Sequence, residues 1–240
     1  MDIWMDNNKR FAEIAAAAGD PARAGMLHAL LDGRALTASE LAQVAGLTPQ
    51  TASGHLARMV QIGLVSVERQ GRHRYHRLAS LSVARMMEGV GELASDLEPQ
   101  QQTAGSRNAA LKAARVCYDH LAGQLGVALA DGLVKAGFAE LTSEGGLFTK
   151  SGLGFLNRIG IQTCGFLTAN GTTSRRLLCR PCMDWTERRL HIGGAIGAAI
   201  CSHSFNKGWI RRMDNSRAVS IAPSGLRLFR EQFGAQIGQR

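Results

Sequence analysis

The sequence predicts a mainly α-helical chain with small β-hairpins: an N-terminal winged helix-turn-helix domain, then a C-terminal domain of two degenerate winged-helix-like repeats. Three observations carry that prediction. Apolar residues recur at spacings of three and four through most of the chain, which is the helical period. Short alternating runs bounded by glycine interrupt them. In the second half one pattern returns 71 residues later without a gap, from His120 to His191. The expected domains are residues 1–99 and 106–240, with repeats at about 107–160 and 175–234.

Taken in order, Asp6 to Ala18 is amphipathic, with Phe11, Ile14 and Ala15 on one side, and Gly19 ends it. Asp20-Pro21 opens a second helix that carries Met26, Leu27, Leu30 and Leu31 and stops at Gly33. A short third helix follows from Thr37, with Leu41 and Val44 expected inward, and Gly46 breaks it. Thr48 is a good N-cap and Pro49 suits the first helical position, so a fourth helix runs to about Ile62 over Leu56, Met59 and Val60. Leu64 to Val67 and Tyr75 to Leu78 alternate like strands, joined by the polar link Glu68 to Arg74 around Gly71. Leu81 to Leu97 reads as a helix with Val83, Met86, Met87, Val90 and Leu93. Glu98 to Arg107 is polar and contains Pro and Gly, which places the domain boundary there.

Helix, turn, helix, then a basic hairpin is the order that seats one helix in the DNA major groove. Thr48, Gln50, Thr51, Ser53, His55 and Arg58 are the side chains placed to meet base edges or phosphates. Arg69, Arg72, His73 and Arg74 stand where a wing touches the backbone or minor groove.

These residues also carry a resemblance. The stretch L-T-A-S-E-L-A-x-x-A-G-L-T-P-Q-T-A-S-G-H-L, from Leu36, followed by G-L-V-x-V-E-R-Q-G-R-H-R-Y-H-R-L, from Gly63, is similar to the ArsR/SmtB family of winged-helix repressors. The resemblance covers about Asp6 to Asp96. It implies a homodimer, with the first and last helices of the domain at the dimer interface, that leaves operator DNA when an effector binds. The family's usual metal positions do not transfer: the helix Ser39 to Ala45 has no cysteine, and Leu81 to Leu97 lacks the Asp and His pairs.

Composition sets the outer limits. A hydrophobic content of 45% suffices for a core, and an aromatic content of 5% makes that core mostly aliphatic. There is no run of about eighteen apolar residues and no secretory signal at the start, so a cytoplasmic protein that spans no membrane is expected, with its five cysteines reduced. The net charge of +9 is uneven. Residues 1–100 carry ten Lys or Arg against eleven Asp or Glu, and the rest carry eighteen against eight. The second half can therefore add nonspecific phosphate contact, or simply present a solvated basic surface. No phosphate-cradling glycine loop, serine nucleophile motif or paired catalytic carboxylates occur, so no enzyme is expected.

In the repeat, Gly123 matches Gly194, Gly126 matches Gly197, and Phe138 matches Trp209. Each copy reads as helix, Gly-aromatic turn, short hairpin, helix. The helices are rich in Gly and Ala, which suits close packing better than base reading. Upstream, Cys117-Tyr118-Asp119 precedes His120, and Cys182-Met183-Asp184 precedes His191 after the insertion Trp185 to Leu190.

Thiolate and imidazole are ligands for soft and borderline metals. Cys117, Cys179, Cys182 and His191 are thus candidate ligands of a thiophilic metal or metalloid ion, and Cys117, His120, Cys182, Trp185 and His191 are candidate effector contacts. Paired cysteines also suit a thiol sensor. On the other side, Asp119 and Asp184 stand where helix N-caps would, and the cysteines would serve as small buried hydrophobes. The reading is an effector-responsive DNA-binding regulator, a repressor with operator DNA, a second copy and a small effector as partners. Its alternatives are the same regulator sensing an organic ligand, and a structural DNA-binding protein with no effector.

Overall fold

The computed structural model describes residues 3–97, 106–163, 177–214 and 216–237. The chain divides into two compact units, Met1–Val90 and Gly91–Arg240. Most of the expected linker lies outside the described residues; its end, Ser106 and Arg107, is helical.

In the first unit α1 (Ile3–Ala18) leads to α2 (Pro21–Ala29), whose N-cap Asp20 accepts from the Arg23 N–H at 2.9 Å. A single 3-10 turn, Leu30–Asp32, ends at left-handed Gly33. β1 (Leu36–Thr37) is a strand absent from the sequence reading. It pairs antiparallel with β3, Leu36 opposite His76, while Thr37 also opens α3 (Ala38–Ala45) through a capping box with Glu40. Gly46 (φ 65°) turns the chain, and Thr48 caps α4 (Pro49–Gln61).

The wing is longer than the alternation suggested. β2 (Val65–Gln70) and β3 (His73–Leu78) pair along their full length, Val65 opposite Leu78 and Gln70 opposite His73. Only Gly71 and Arg72 are left to turn, and Gly71 supplies the positive φ (58°). Glu68 to Arg74 is thus mostly ladder, because backbone pairing does not require apolar side chains. α5 (Leu81–Leu97) follows.

Val44, expected inward, faces out. Val44, Val60 and Phe11 are exposed, Phe11 at 74%. The core of this unit is built instead from Met26, Leu27, Leu30, Leu31, Leu41, Ala42, Leu56 and Met59. A stripe three or four residues wide fixes which side of a helix is apolar, but not how much of it the neighbours cover.

The second unit starts with α6 (Ser106–Ala113). Then comes β4 (Arg115–Cys117), β5 (His120–Ala122), α7 (Gly123–Lys135), β6 (Ala139–Leu141), β7 (Gly146–Phe148) and α8 (Lys150–Arg158). The same order of elements returns as β8 (Arg180–Met183), β9 (Leu190–Gly193), α9 (Gly194–Asn206), β10 (Ile210–Arg212), β11 (Val219–Ile221) and α10 (Pro223–Phe233). One apolar core runs through both halves, from Val116 and Leu125 to Ile196, Phe229 and Phe233.

The leading hairpins, β4–β5 and β8–β9, are a correction to the sequence reading, which began the helices at His120 and His191. Both histidines lie on strands, and each helix starts at a glycine with positive φ, Gly123 (74°) and Gly194 (82°). That conformation, open to glycine, switches the chain from strand to helix. Asp119 and Asp184 are therefore not N-caps; those positions are Ala122 and Gly193.

Candidate functional site

The outward face of α4 carries Thr48, Gln50, Thr51, Ser53 and Arg58, all exposed. Thr48 is engaged in capping, its Oγ1 accepting from the Thr51 N–H at 3.2 Å. Ser53 donates to the Pro49 carbonyl at 2.8 Å, and Arg58 donates to Gln61 Oε1 at 3.1 Å. His55 is only half-buried but not free: its Nδ1 lies 3.3 Å from Arg23 Nη1 and 3.9 Å from Asp20 Oδ1, which ties it to the start of α2. Arg69, Arg72, His73 and Arg74 are exposed on the wing. The wing is anchored at its base by His76, whose Nδ1 donates to the Leu36 carbonyl at 3.3 Å; burial holds this imidazole's pKa below its ordinary value.

The second unit gathers a different set. In hairpin β4–β5, Cys117 is the register partner of His120. In β8–β9, Cys182 is the register partner of His191. Register partners place their side chains side by side on one face, so each hairpin offers a thiol next to an imidazole. The strands β5 and β9 pack against each other, and each long helix packs on the other half's strand, α7 on β9 and α9 on β5.

Glycine permits this approach. A Cβ on Gly126 would run into the Leu121 carbonyl and lie 3.7 Å from the Cβ of His191; one on Gly197 would run into the Ile192 carbonyl and lie 3.0 Å from the Cβ of His120. The halves therefore meet with each glycine beside the other half's histidine. The outcome is one buried cluster, with the ligand atoms of Cys117, His120, Cys182 and His191 all within 4.8 Å of one another. The Sγ atoms of Cys117 and Cys182 are 3.9 Å apart, and the Nε2 atoms of His120 and His191 are 3.1 Å apart.

Carboxylates stand behind both imidazoles. His120 Nδ1 donates to Asp119 Oδ1 at 3.2 Å, and His191 Nδ1 lies 3.8 Å from Asp184 Oδ2. Burial opposes charge on His120, but the hydrogen bonds to Asp119 and Cys182 outweigh it and raise its pKa to about 9. The Cys182 thiol is driven strongly toward the thiolate, chiefly by the hydrogen bond from Cys117 and then, against burial, by the two imidazoles.

Asp184 is fully buried and held from several sides. Its Oδ1 accepts from the Thr186 N–H (2.9 Å) and hydroxyl (2.7 Å), its Oδ2 from the Gly123 N–H (2.6 Å), and Arg115 Nη2 lies 3.0 Å away. Burial alone would raise its pKa; the Arg115 charge, followed by His191 and these donors, lowers it to about 2. Sequence reasoning missed Arg115. The available signal was its spacing: Arg115 precedes Cys117 by two residues, as Arg180 precedes Cys182.

Two candidates from the sequence stand apart. Cys179 is outside the cluster, its thiol close to Gly146, and burial pushes it up to about 11. It precedes the paired part of β8, so it does not share the face of Cys182. The Arg115 guanidinium lies over one face of the Trp185 ring, 4.6 Å from its centre.

A helix-turn-helix backed by a paired hairpin wing, with a polar outward helix face, defines a winged helix-turn-helix DNA-binding protein. The family model and the curated relative agree. A model of the helix-turn-helix domain family matches residues 18–68. The chain is 37% identical over 237 residues to the uncharacterized HTH-type transcriptional regulator YdfF of Bacillus subtilis (strain 168), covering 96% of this chain and 100% of that one. The chain belongs to that family of HTH-type transcriptional regulators. Among solved structures, HlyU from Vibrio cholerae N16961 is 28% identical, over 36% of this chain and 94% of that one, at a TM-score of 0.34. The homodimeric winged helix-turn-helix DNA-binding domain (fragment 1–100) of Mb0332 from Mycobacterium bovis is 27% identical, over 40% and 88%, at 0.38. Among the described residues no helix is long and apolar enough to cross a membrane.

Proposed function

We propose that this DNA-binding transcription regulator is a homodimeric repressor of the ArsR/SmtB type, released from its operator by a thiophilic signal received in the second unit. α4 reads the major groove through Gln50, Thr51, Ser53 and Arg58, and Arg69, Arg72 and Arg74 of the wing hold the backbone. The second unit consists of two copies of one degenerate winged-helix unit; their buried, Gly-rich helices pack on the strands of the opposite copy instead of on DNA. The single observation that carries the effector reading is the convergence of Cys117, His120, Cys182 and His191. Two thiols, one of them driven toward the thiolate, and two imidazoles in a buried spot are costly to keep unless they act on something.

The exposed residues Phe11 of α1 and Val90 of α5 support the dimer reading. Large exposed apolar side chains on a small domain mark an association surface.

The test is operator binding by fluorescence anisotropy with the full chain, before and after Zn(II), Cd(II), trivalent arsenic, or the thiol oxidant diamide. Release by one of these, lost in Cys182→Ser, is expected. Unchanged affinity under all of them would favour a structural DNA-binding protein without an effector.

A further inference from the structure

We infer that Cys117, His120, Cys182 and His191 bind one divalent ion of the zinc class in a closed tetrahedral site of two sulfurs and two nitrogens, half of it from each hairpin. The inference rests on the regulator reading above only in sharing its cluster, and it names the ligand of that site.

Distances come first. Zinc bonds to thiolate at roughly 2.3 Å and to imidazole at roughly 2.0–2.1 Å. A tetrahedron with those bonds puts its sulfurs ~3.8 Å and its nitrogens ~3.3 Å apart. The observed separations are 3.9 Å for Cys117 and Cys182 and 3.1 Å for His120 and His191. Both agree to within a few tenths of an ångström, and all four ligand atoms lie within 4.8 Å of one another, so one ion can be reached from all four.

The direction of the lone pairs comes second. Asp119 and Asp184 face the Nδ1 atoms of the two histidines and favour a proton there. The two Nε2 atoms face one another across 3.1 Å, at hydrogen-bond distance, so a cation that displaces the proton between them finds both lone pairs directed at it. A carboxylate behind each imidazole is also the usual support of a metal-bound histidine, fixing its tautomer and orientation. Asp184 is itself locked by Arg115, Thr186 and the Gly123 N–H.

Charge and donor type select the ion. Two thiolates neutralise a dication, so the loaded site carries no net charge into a buried setting. Tetrahedral sulfur–nitrogen donor sets suit zinc and its surrogates cobalt(II) and cadmium(II). A trivalent metalloid bonds through thiolates, and of the described thiols only two reach this point; Cys179 and Cys201 are separate and held protonated by burial. With four protein ligands no position is left for a reacting water, so the ion ties the halves together and does no catalysis. Binding releases to solvent the protons still held by the thiols and by the imidazole Nε2 atoms and changes no oxidation state.

The experiment is a cobalt(II) titration of chelator-stripped, reduced full-length protein, followed by optical absorption, with operator affinity measured on the same samples. One equivalent should bring strong visible d–d bands and near-ultraviolet thiolate-to-metal charge transfer. Zn(II) should bleach them, and Cys182→Ser should weaken the charge transfer by about half and shift the visible bands. Because the histidines are buried, the wild-type zinc competition stands as a check that needs no variant. No uptake, weak octahedral bands, or a spectrum unchanged in Cys182→Ser overturns the inference. Tetrahedral binding with unaltered operator affinity keeps the metal site and removes the regulatory reading. Operator release by diamide without cobalt uptake does the reverse.

Discussion

The Nε2 atoms of His120 and His191, 71 residues apart in the chain, lie 3.1 Å from each other, and their rings stack with centroids 5.0 Å apart. This meeting depends on Gly197, where a Cβ would crowd His120 of the other half, while at Gly126 the close neighbour is the Leu121 carbonyl of its own half. Gly197→Val should therefore destabilise the second unit by about 1–3 kcal/mol, the usual cost of overpacking. Its added atoms would meet the Ile192 carbonyl and the Cβ of His120. Denaturant unfolding checks this, and wild-type stability would show that the closeness at Gly197 is unimportant.

Arg115 and Asp184 form an ion pair at 3.0 Å with both side chains buried. Arg115→Met should cost about 3–5 kcal/mol, because it leaves a buried carboxylate without its main countercharge. Arg115→Met combined with Asp184→Asn should cost less than the sum of the two single changes. Thermal melts of the three variants, compared as a double-mutant cycle, measure the difference.

On the DNA face, Arg58→Ala and Arg72→Ala should each weaken operator binding by about 1–3 kcal/mol without altering the melting curve. A gel-shift titration at fixed salt reads the loss. If both variants bind like wild type, α4 and the wing do not form the assigned face.

Leu93→Glu on α5 places a charge on a side chain that is 57% exposed in the single chain. Light scattering should report a monomer where wild type gives a dimer, and operator affinity should fall with it. A dimeric variant would move the dimer interface away from α5.

His76 ties the wing to β1. Burial lowers its pKa below the ordinary 6.5, so the unfolded chain binds the proton more readily. Stability of the first unit should therefore fall as pH drops from about 6.5 through the lowered folded value, and recover as pH rises. The His76→Gln variant should show a flatter dependence over that window in chemical denaturation. Equal slopes for the two proteins would assign the acid sensitivity to other groups.

Local signals in the sequence determined the helix-turn-helix. Thr48 and Pro49 start α4, Gly46 turns the chain before it, and Gly71 closes the wing, each acting through backbone preferences that reach only a few residues. The sequence also determined that a Cys and a His recur in matched positions 65 and 71 residues apart. Tertiary structure decided the rest. Val44, Val60 and Phe11 fit an apolar stripe, yet neighbouring elements do not cover them. Asp119 and Asp184 suit N-caps, yet two unforeseen hairpins set them behind imidazoles. Cys179 lies three residues from Cys182 but outside the cluster, while Cys117, 65 residues from Cys182, belongs to it. The physical reason is that ligand convergence depends on strand register and on the glycine-permitted approach of two halves, and neither is encoded in the spacing of neighbouring residues.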